Sequence, residues 1–142
     1  ENIMKKSALL NSDVSHLIAS MGHGDEMTIA DAGLPIPDDV ERIDLALTHG
    51  VPSFEDTVRT VLSELQVEAV FIAHEIKEHN PSAHQILEGL LDDAERDQGA
   101  DISRHYVSHE EFKDISCDSL AVVRTGECSP YANVIFQSGV VF

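Results

Sequence analysis

The segment Val67-Glu68-Ala69-Val70-Phe71-Ile72-Ala73 is apolar but for one glutamate. A strand wet on one face would alternate between apolar and polar residues. This one does not, so it reads as a strand covered on both faces. The segments on either side supply the cover. Ser53 with Asp56 forms an Asp variant of the capping box, ahead of a helix whose apolar face is Phe54, Val58, Val61, Leu62 and Leu65. Asn80-Pro81 sets an N-cap before a proline at the first helical position, and Ile86, Leu87, Leu90, Leu91 and Ala94 carry the core stripe of that helix. Its acidic residues Glu88, Asp92, Asp93, Glu95 and Asp97 are then expected on the solvated face.

The same alternation runs through the rest of the chain. Asn11-Ser12-Asp13 offers N-cap candidates, and Val14, Leu17, Ile18 and Met21 follow at helical spacing before Gly22 ends the helix. Residues 27–31 read as a short strand ending at a Gly-Leu-Pro-Ile-Pro loop, and residues 42–47 as a second strand. Residues 102–107, 120–123 and 134–136 read as further strands, Ser108 with Glu111 as another capping box, and Val140-Val141-Phe142 as a terminal extension. The order predicts one α/β domain over residues 4–142, a three-layer arrangement with a mostly parallel central sheet covered by helices. Met4-Lys5-Lys6 has the look of a natural start, which makes Glu1-Asn2-Ile3 an expected extension.

Charge removes whole classes of function. There are 26 acidic residues against 9 basic ones, a formal charge of -17, and such a surface repels nucleic acid and anionic lipid. No apolar run approaches the roughly 18 residues of a membrane span, and no signal-peptide apolar region is seen, so the chain reads as cytoplasmic. Cys117 and Cys128 are too few for a disulfide framework and lack metal spacing. His74 and His79 are five apart, which on a helix turns the imidazoles about 140° from one another, so a metal site built from His74, His79 and His84 is not expected. The glycines form no phosphate or dinucleotide fingerprint, and Cys128 has no visible base partner.

What remains are proton-handling groups at element ends. His23, between Gly22 and Gly24, is expected to be reachable, and imidazole is the natural donor or acceptor near neutral pH; the alternative is a helix C-cap histidine. Asp31 ends a strand before a Gly/Pro loop, placed to orient that imidazole, to bind a hydroxyl, or simply to form an Asx-turn. His109 opens a helix, with Lys113 four residues on along the same face, and both read equally as solvated side chains. In Ser129-Pro130-Tyr131-Ala132-Asn133 the proline stiffens a turn that presents a phenol and a carboxamide together, a pairing suited to a polyol or to the turn itself.

These residues also carry a resemblance. Leu10-Asn11-Ser12-Asp13, Gly22-His23-Gly24-Asp25, Asp31-Ala32-Gly33-Leu34-Pro35-Ile36-Pro37, Arg42-Ile43-Asp44, Gly50-Val51-Pro52-Ser53-Phe54, Glu75-Ile76-Lys77, Asn80-Pro81, His109-Glu110-Glu111-Phe112-Lys113 and Gly126-Glu127-Cys128-Ser129-Pro130-Tyr131-Ala132-Asn133 occur in order. Together they resemble the ribose pyranase and L-fucose mutarotase family from Met4 to Phe142. The stretch from Met21 to Glu26 is similar to the fucose branch, whereas the Gly-Leu-Pro-Ile-Pro loop and the Cys-Ser-Pro-Tyr-Ala-Asn turn are similar to the ribose branch, which is preferred.

The resemblance implies a cytoplasmic, cofactor-free isomerase, with no metal, that interconverts β-D-ribopyranose and β-D-ribofuranose upstream of ribokinase. It implies a homodecamer of two stacked pentamers with sites near subunit contacts. It makes His23 the proton donor, and Asp31, His109, Tyr131, Ala132 and Asn133 the substrate-binding positions, with Lys113 a further contact. Asp31 would steer His23 or a sugar hydroxyl. The alternatives are an L-fucose mutarotase and a sugar-binding transport-accessory protein that holds the monosaccharide without speeding its exchange.

Overall fold

The computed structural model describes residues 4–142; the expected extension 1–3 lies outside the described residues. Its elements in chain order are α1 (Ser12–Ser20), β1 (Glu26–Ala30), β2 (Arg42–Asp44), α2 (Phe54–Leu62), β3 (Val67–Ala73), α3 (Ile76–His79), α4 (Pro81–Gln98), β4 (Ser103–Val107), α5 (His109–Ser116), β5 (Ala121–Arg124) and β6 (Val134–Ser138). Local chemistry starts each long helix. The side chains of Asn11, Ser53, Asn80 and Ser108 accept the N–H groups of Val14, Asp56, Ala83 and Glu111, donors that no helical carbonyl can reach.

Six strands form one sheet in the order β2-β5-β1-β6-β3-β4. β1, β2 and β5 pair in parallel, as do β3 and β4, and β6 runs antiparallel to both β1 and β3. Five strands therefore point one way and β6 alone opposes them. Both faces are covered, and the pleat divides the side chains between two cores. Met27, Ile29, Val70, Ile72, Val123 and Phe136 pack under α1, α2 and α4. Ala30, Ala73, Val122 and Ile135 pack with Leu34 and with Phe112 of α5. The three layers are thus unequal, because α5, the loop following Asp31 and the turn at Tyr131 form the second cover.

Some expectations require correction. The second strand stops at Asp44 rather than 47, because Asp44 Oδ1 accepts the Ala46 N–H at 3.0 Å and turns the chain. Ile86 is 36% exposed, while Ala83 joins Leu87, Leu90, Leu91 and Ala94 on the buried stripe of α4. The acidic face of α4 is not simply solvated either. Arg104 of β4 bonds to Glu88, to Asp92 at 2.7 Å and to Glu95 at 3.1 Å, tying the helix to the edge of the sheet. The segment Val140-Val141-Phe142 lies outside the sheet, with Phe142 99% exposed.

Candidate active site

Ligands in open α/β sheets gather beyond the carboxyl ends of parallel strands, where several loops converge. Here those ends bring together Asp31 after β1, Glu75 after β3, His109 after β4 and the turn that leads from β5 into β6. They frame a cleft of about 550 Å³ lined by Asp31, Leu34, His109, Glu127 and Tyr131 among others. Its size suits a small molecule.

Asp31 is held on several sides. Asn133, fully buried, accepts the Asp31 N–H on Oδ1 at 2.7 Å and donates from Nδ2 to Asp31 Oδ2 at 3.2 Å. Asp31 Oδ1 takes the Gly33 N–H at 2.9 Å, the Asx-turn expected for this position. Burial pushes the carboxyl above the usual carboxylate range, against the opposing pull of hydrogen bonds from Gly33, Asn133 and Leu34 and of the nearby His109. Asp31 is therefore readier than an ordinary aspartate to take up a proton.

His109 is the first residue of α5. Its ring meets Tyr131 edge-on at 5.0 Å between centroids, and its Nδ1 is buried with no hydrogen-bond partner among the described residues. Tyr131 has φ 58, a left-handed conformation that costs a bulky residue of order 1–3 kcal/mol. The surrounding turn imposes it. Asn80 Nδ2 donates to the Pro130 carbonyl at 2.7 Å, and the Asn133 N–H donates to the Tyr131 carbonyl at 2.9 Å. Ala132 is completely buried between them.

Glu127 anchors the other side of this turn. Oε1 accepts the Phe54 N–H at 3.0 Å, and Oε2 accepts the Ser129 hydroxyl at 2.8 Å and its N–H at 3.3 Å. Burial works against the ionised form, but these donors outweigh it and hold the carboxyl below the usual range. Gly126 permits the approach, since a Cβ there would stand 2.6 Å from the Thr48 carbonyl oxygen.

The structure does not gather every expected residue in one chain. Lys113 pairs with Glu110 at 2.8 Å and does not line the cleft. His23 is reachable as expected, its side chain 59% exposed, but it lies before β1 whereas Asp31 lies after it. Five strand residues at about 3.3 Å each separate the two, so within one chain Asp31 cannot steer that imidazole. His23 instead meets Glu68 of β3 at 2.7 Å. Gly24, at φ 87, lets its loop turn back so that the Gly24 N–H reaches the Ser138 carbonyl at 2.9 Å. Among the described residues no three His, Cys, Asp or Glu side chains gather as metal ligands, and no helix is long and apolar enough to cross a membrane. Glu68, Glu75, Asn80 and Glu127 carry no local sequence signal as site supports. Their partners lie 34 to 73 residues away, with Asn80 to Pro130 at 50 and Glu68 to His23 at 45, and nothing local announces such links.

Residues 4–141 match the profile described as the RbsD / FucU transport protein family. A Vibrio vulnificus protein named D-ribose pyranase is 62% identical over 98% of this chain and 100% of its own length. A Psychromonas ingrahamii protein of the same name is 60% identical with the same coverage. The structure of Bacillus subtilis RbsD complexed with D-ribose superposes with a TM-score of 0.86 at 46% identity, covering 98% of this chain and 100% of that one.

Proposed function

The chain belongs to the RbsD / FucU transport protein family, and from that premise we propose that it is a D-ribose pyranase, an isomerase that interconverts the pyranose and furanose forms of D-ribose. The observation that carries the reading is the buried Asn133 clamping Asp31 at the sheet's carboxyl edge, in a cleft shared with His109 and Tyr131. Relatives at about 60% identity bear that activity as their name, and the similar RbsD holds D-ribose.

The chemistry asks for donors and acceptors at fixed places. Ring opening removes the anomeric hydroxyl proton, forms the C1 carbonyl, breaks the bond from C1 to the ring oxygen and gives that oxygen a proton. Closure adds a different hydroxyl to C1, its proton leaving as the carbonyl oxygen regains one. Composition and oxidation state are unchanged, so positioned acids and bases suffice, each typically adding about 10²- to 10⁴-fold. Asp31, with its raised pKa, accepts and returns a proton at one sugar hydroxyl. His109 and Tyr131 hold and relay others. Asn133 acts through Asp31 and Ala132 forms the buried floor of the turn, whereas Lys113, held by Glu110 outside the cleft of its own chain, has no contact to make there. His23 is the proton donor to the ring oxygen.

That last role requires a second copy of the chain, since His23 stands on the opposite edge of the sheet. A closed ring, doubled into a decamer, would bring the His23 edge of one subunit to the cleft of the next. We place this activity in the cytoplasm, where the furanose form would pass to a kinase.

The word transport in the family's description supports a second reading, in which the cleft binds ribose without accelerating its exchange. Saturation-transfer NMR on ribose with and without protein separates the two. Faster pyranose-furanose exchange is expected; unchanged exchange beside clear binding would establish the accessory role.

A further inference from the structure

Glu75 stands on the turn between β3 and α3, and its two carboxylate oxygens lie 3.1 and 3.0 Å from the backbone N–H of His109. That N–H is among the donors at the start of α5 left without a helical acceptor. Ser108 already supplies the ordinary cap by accepting the Glu111 N–H at 3.1 Å. Glu75 is thus an additional acceptor, delivered from the end of β3, and it fixes the first turn of α5 against the sheet. The residue so fixed is the one whose imidazole lines the cleft.

The same carboxylate is a charge beside that imidazole. Burial raises its pKa, but the hydrogen bonds from backbone N–H groups, that of His109 first, and the proximity of His74 and His109 prevail and keep it ionised. His109 thereby lies between an acidic group biased toward its protonated form, Asp31, and one biased toward its charged form. Two carboxyl groups whose environments separate their pKa values commonly divide their roles.

We propose that Glu75 is the positioning residue for His109 in the ring interconversion, holding the first turn of α5 so that the His109 imidazole faces the sugar. The proposal rests on the cleft being a ribose site. The other titratable groups in this region are Asp31 after β1, His74 before α3, His79 at the end of α3, Tyr131 from the turn before β6, and Glu110 and Lys113 on α5 itself.

The test measures ribose exchange and the NMR chemical shift of the His109 ring, identified by its loss in His109→Asn. Glu75→Ala removes the acceptor for the His109 N–H. It should displace the ring signal and lower kcat by about tenfold, with KM changing less than about threefold. Glu75→Gln, which keeps one acceptor oxygen, should recover the ring signal and most of the rate. A Glu75→Ala protein with wild-type ring signal and wild-type kcat overturns the proposal. So does a rate loss matched by loss of folded protein with the ring signal unmoved. If the wild type fails to speed ribose exchange, the reading of the cleft falls, and the His109 ring signal still decides whether Glu75 positions that imidazole.

Discussion

Asp31 and Glu127 line one cleft with opposite electrostatic consequences. The folded-state pKa of Asp31 is raised, so the folded chain holds more protons than the unfolded one between the ordinary aspartate value, about 3.9, and the folded value. Stability from this group therefore falls as pH rises through that window. Asp31→Asn removes the titration but also the oxygen that accepts the Asn133 amide, so its stability relative to wild type should rise between pH 4 and pH 7 while ribose exchange falls by about 100-fold or more. Urea midpoints at pH 4 and 7 check it, and a variant that gains nothing on wild type over that range would count against the burial argument. Glu127 has the reverse sign. Its folded pKa is lowered, so its contribution is present above the ordinary glutamate value and disappears as pH falls through the folded one. Glu127→Gln should cost about 1–2 kcal/mol at pH 7, a figure reduced for its partial exposure, and little in strong acid. Denaturant melts across that range measure the difference. At this scale the sequence was most legible where the physics is local: the Ser53 and Ser108 caps act three residues away, as their spacing indicates. The clamp of Asn133 on Asp31 spans 102 residues. Asn133 could be read as a polar group in a turn, but not as the support of a particular carboxylate.

Among the elements, α4 shows how a helix can report on a distant turn. Asn80 has two tasks, accepting the Ala83 N–H at 3.3 Å as N-cap and donating to the Pro130 carbonyl at 2.7 Å beside the strained Tyr131. Asn80→Ala abolishes both and should cost about 1 kcal/mol of stability together with weaker ribose binding. Asn80→Asp retains an acceptor for the cap and loses the donor. It should keep most of the stability yet still raise KM; equal KM in Asn80→Asp and wild type would remove the turn from substrate binding. Urea melts and exchange kinetics on the two variants separate the tasks. Helix existence was legible from capping residues and periodicity, and all four capped helices formed where those signals stood. The partition of α4 was not. Its stripe is rotated toward Ala83 and away from Ile86, and Arg104, on a strand, decides which acidic residues turn inward.

Across the whole molecule, the alternation of strand and helix signals was enough to indicate a covered, mostly parallel sheet, because a run such as Val67–Ala73 requires cover on both faces. The insertion of β6 between β1 and β3 left no such trace, since an antiparallel strand has the same local pattern as a parallel one. One consequence was already legible. Reading residues 27–31 as a strand sets His23 and Asp31 on opposite edges of the sheet, and the structure leaves each with its own partners, Glu68 for one and Asn133 for the other. If the proposed site joins His23 of one subunit to Asp31 of another, two inactive variants should complement. His23→Ala and Asp31→Asn, each folded and each slowed by about 100-fold or more alone, can be co-expressed in equal amounts and assembled at random. Each cleft then has an even chance of an intact Asp31 and, independently, of a neighbour with an intact His23, so about a quarter of wild-type exchange should return. Mixing the separately purified, assembled proteins should return none until subunits exchange, and light scattering on the same samples should show an oligomer. A monomer, or co-expressed protein no more active than the variants alone, would mean that His23 does not act across a subunit contact, and the proton donor would have to be sought among the groups already at the cleft, His109 first.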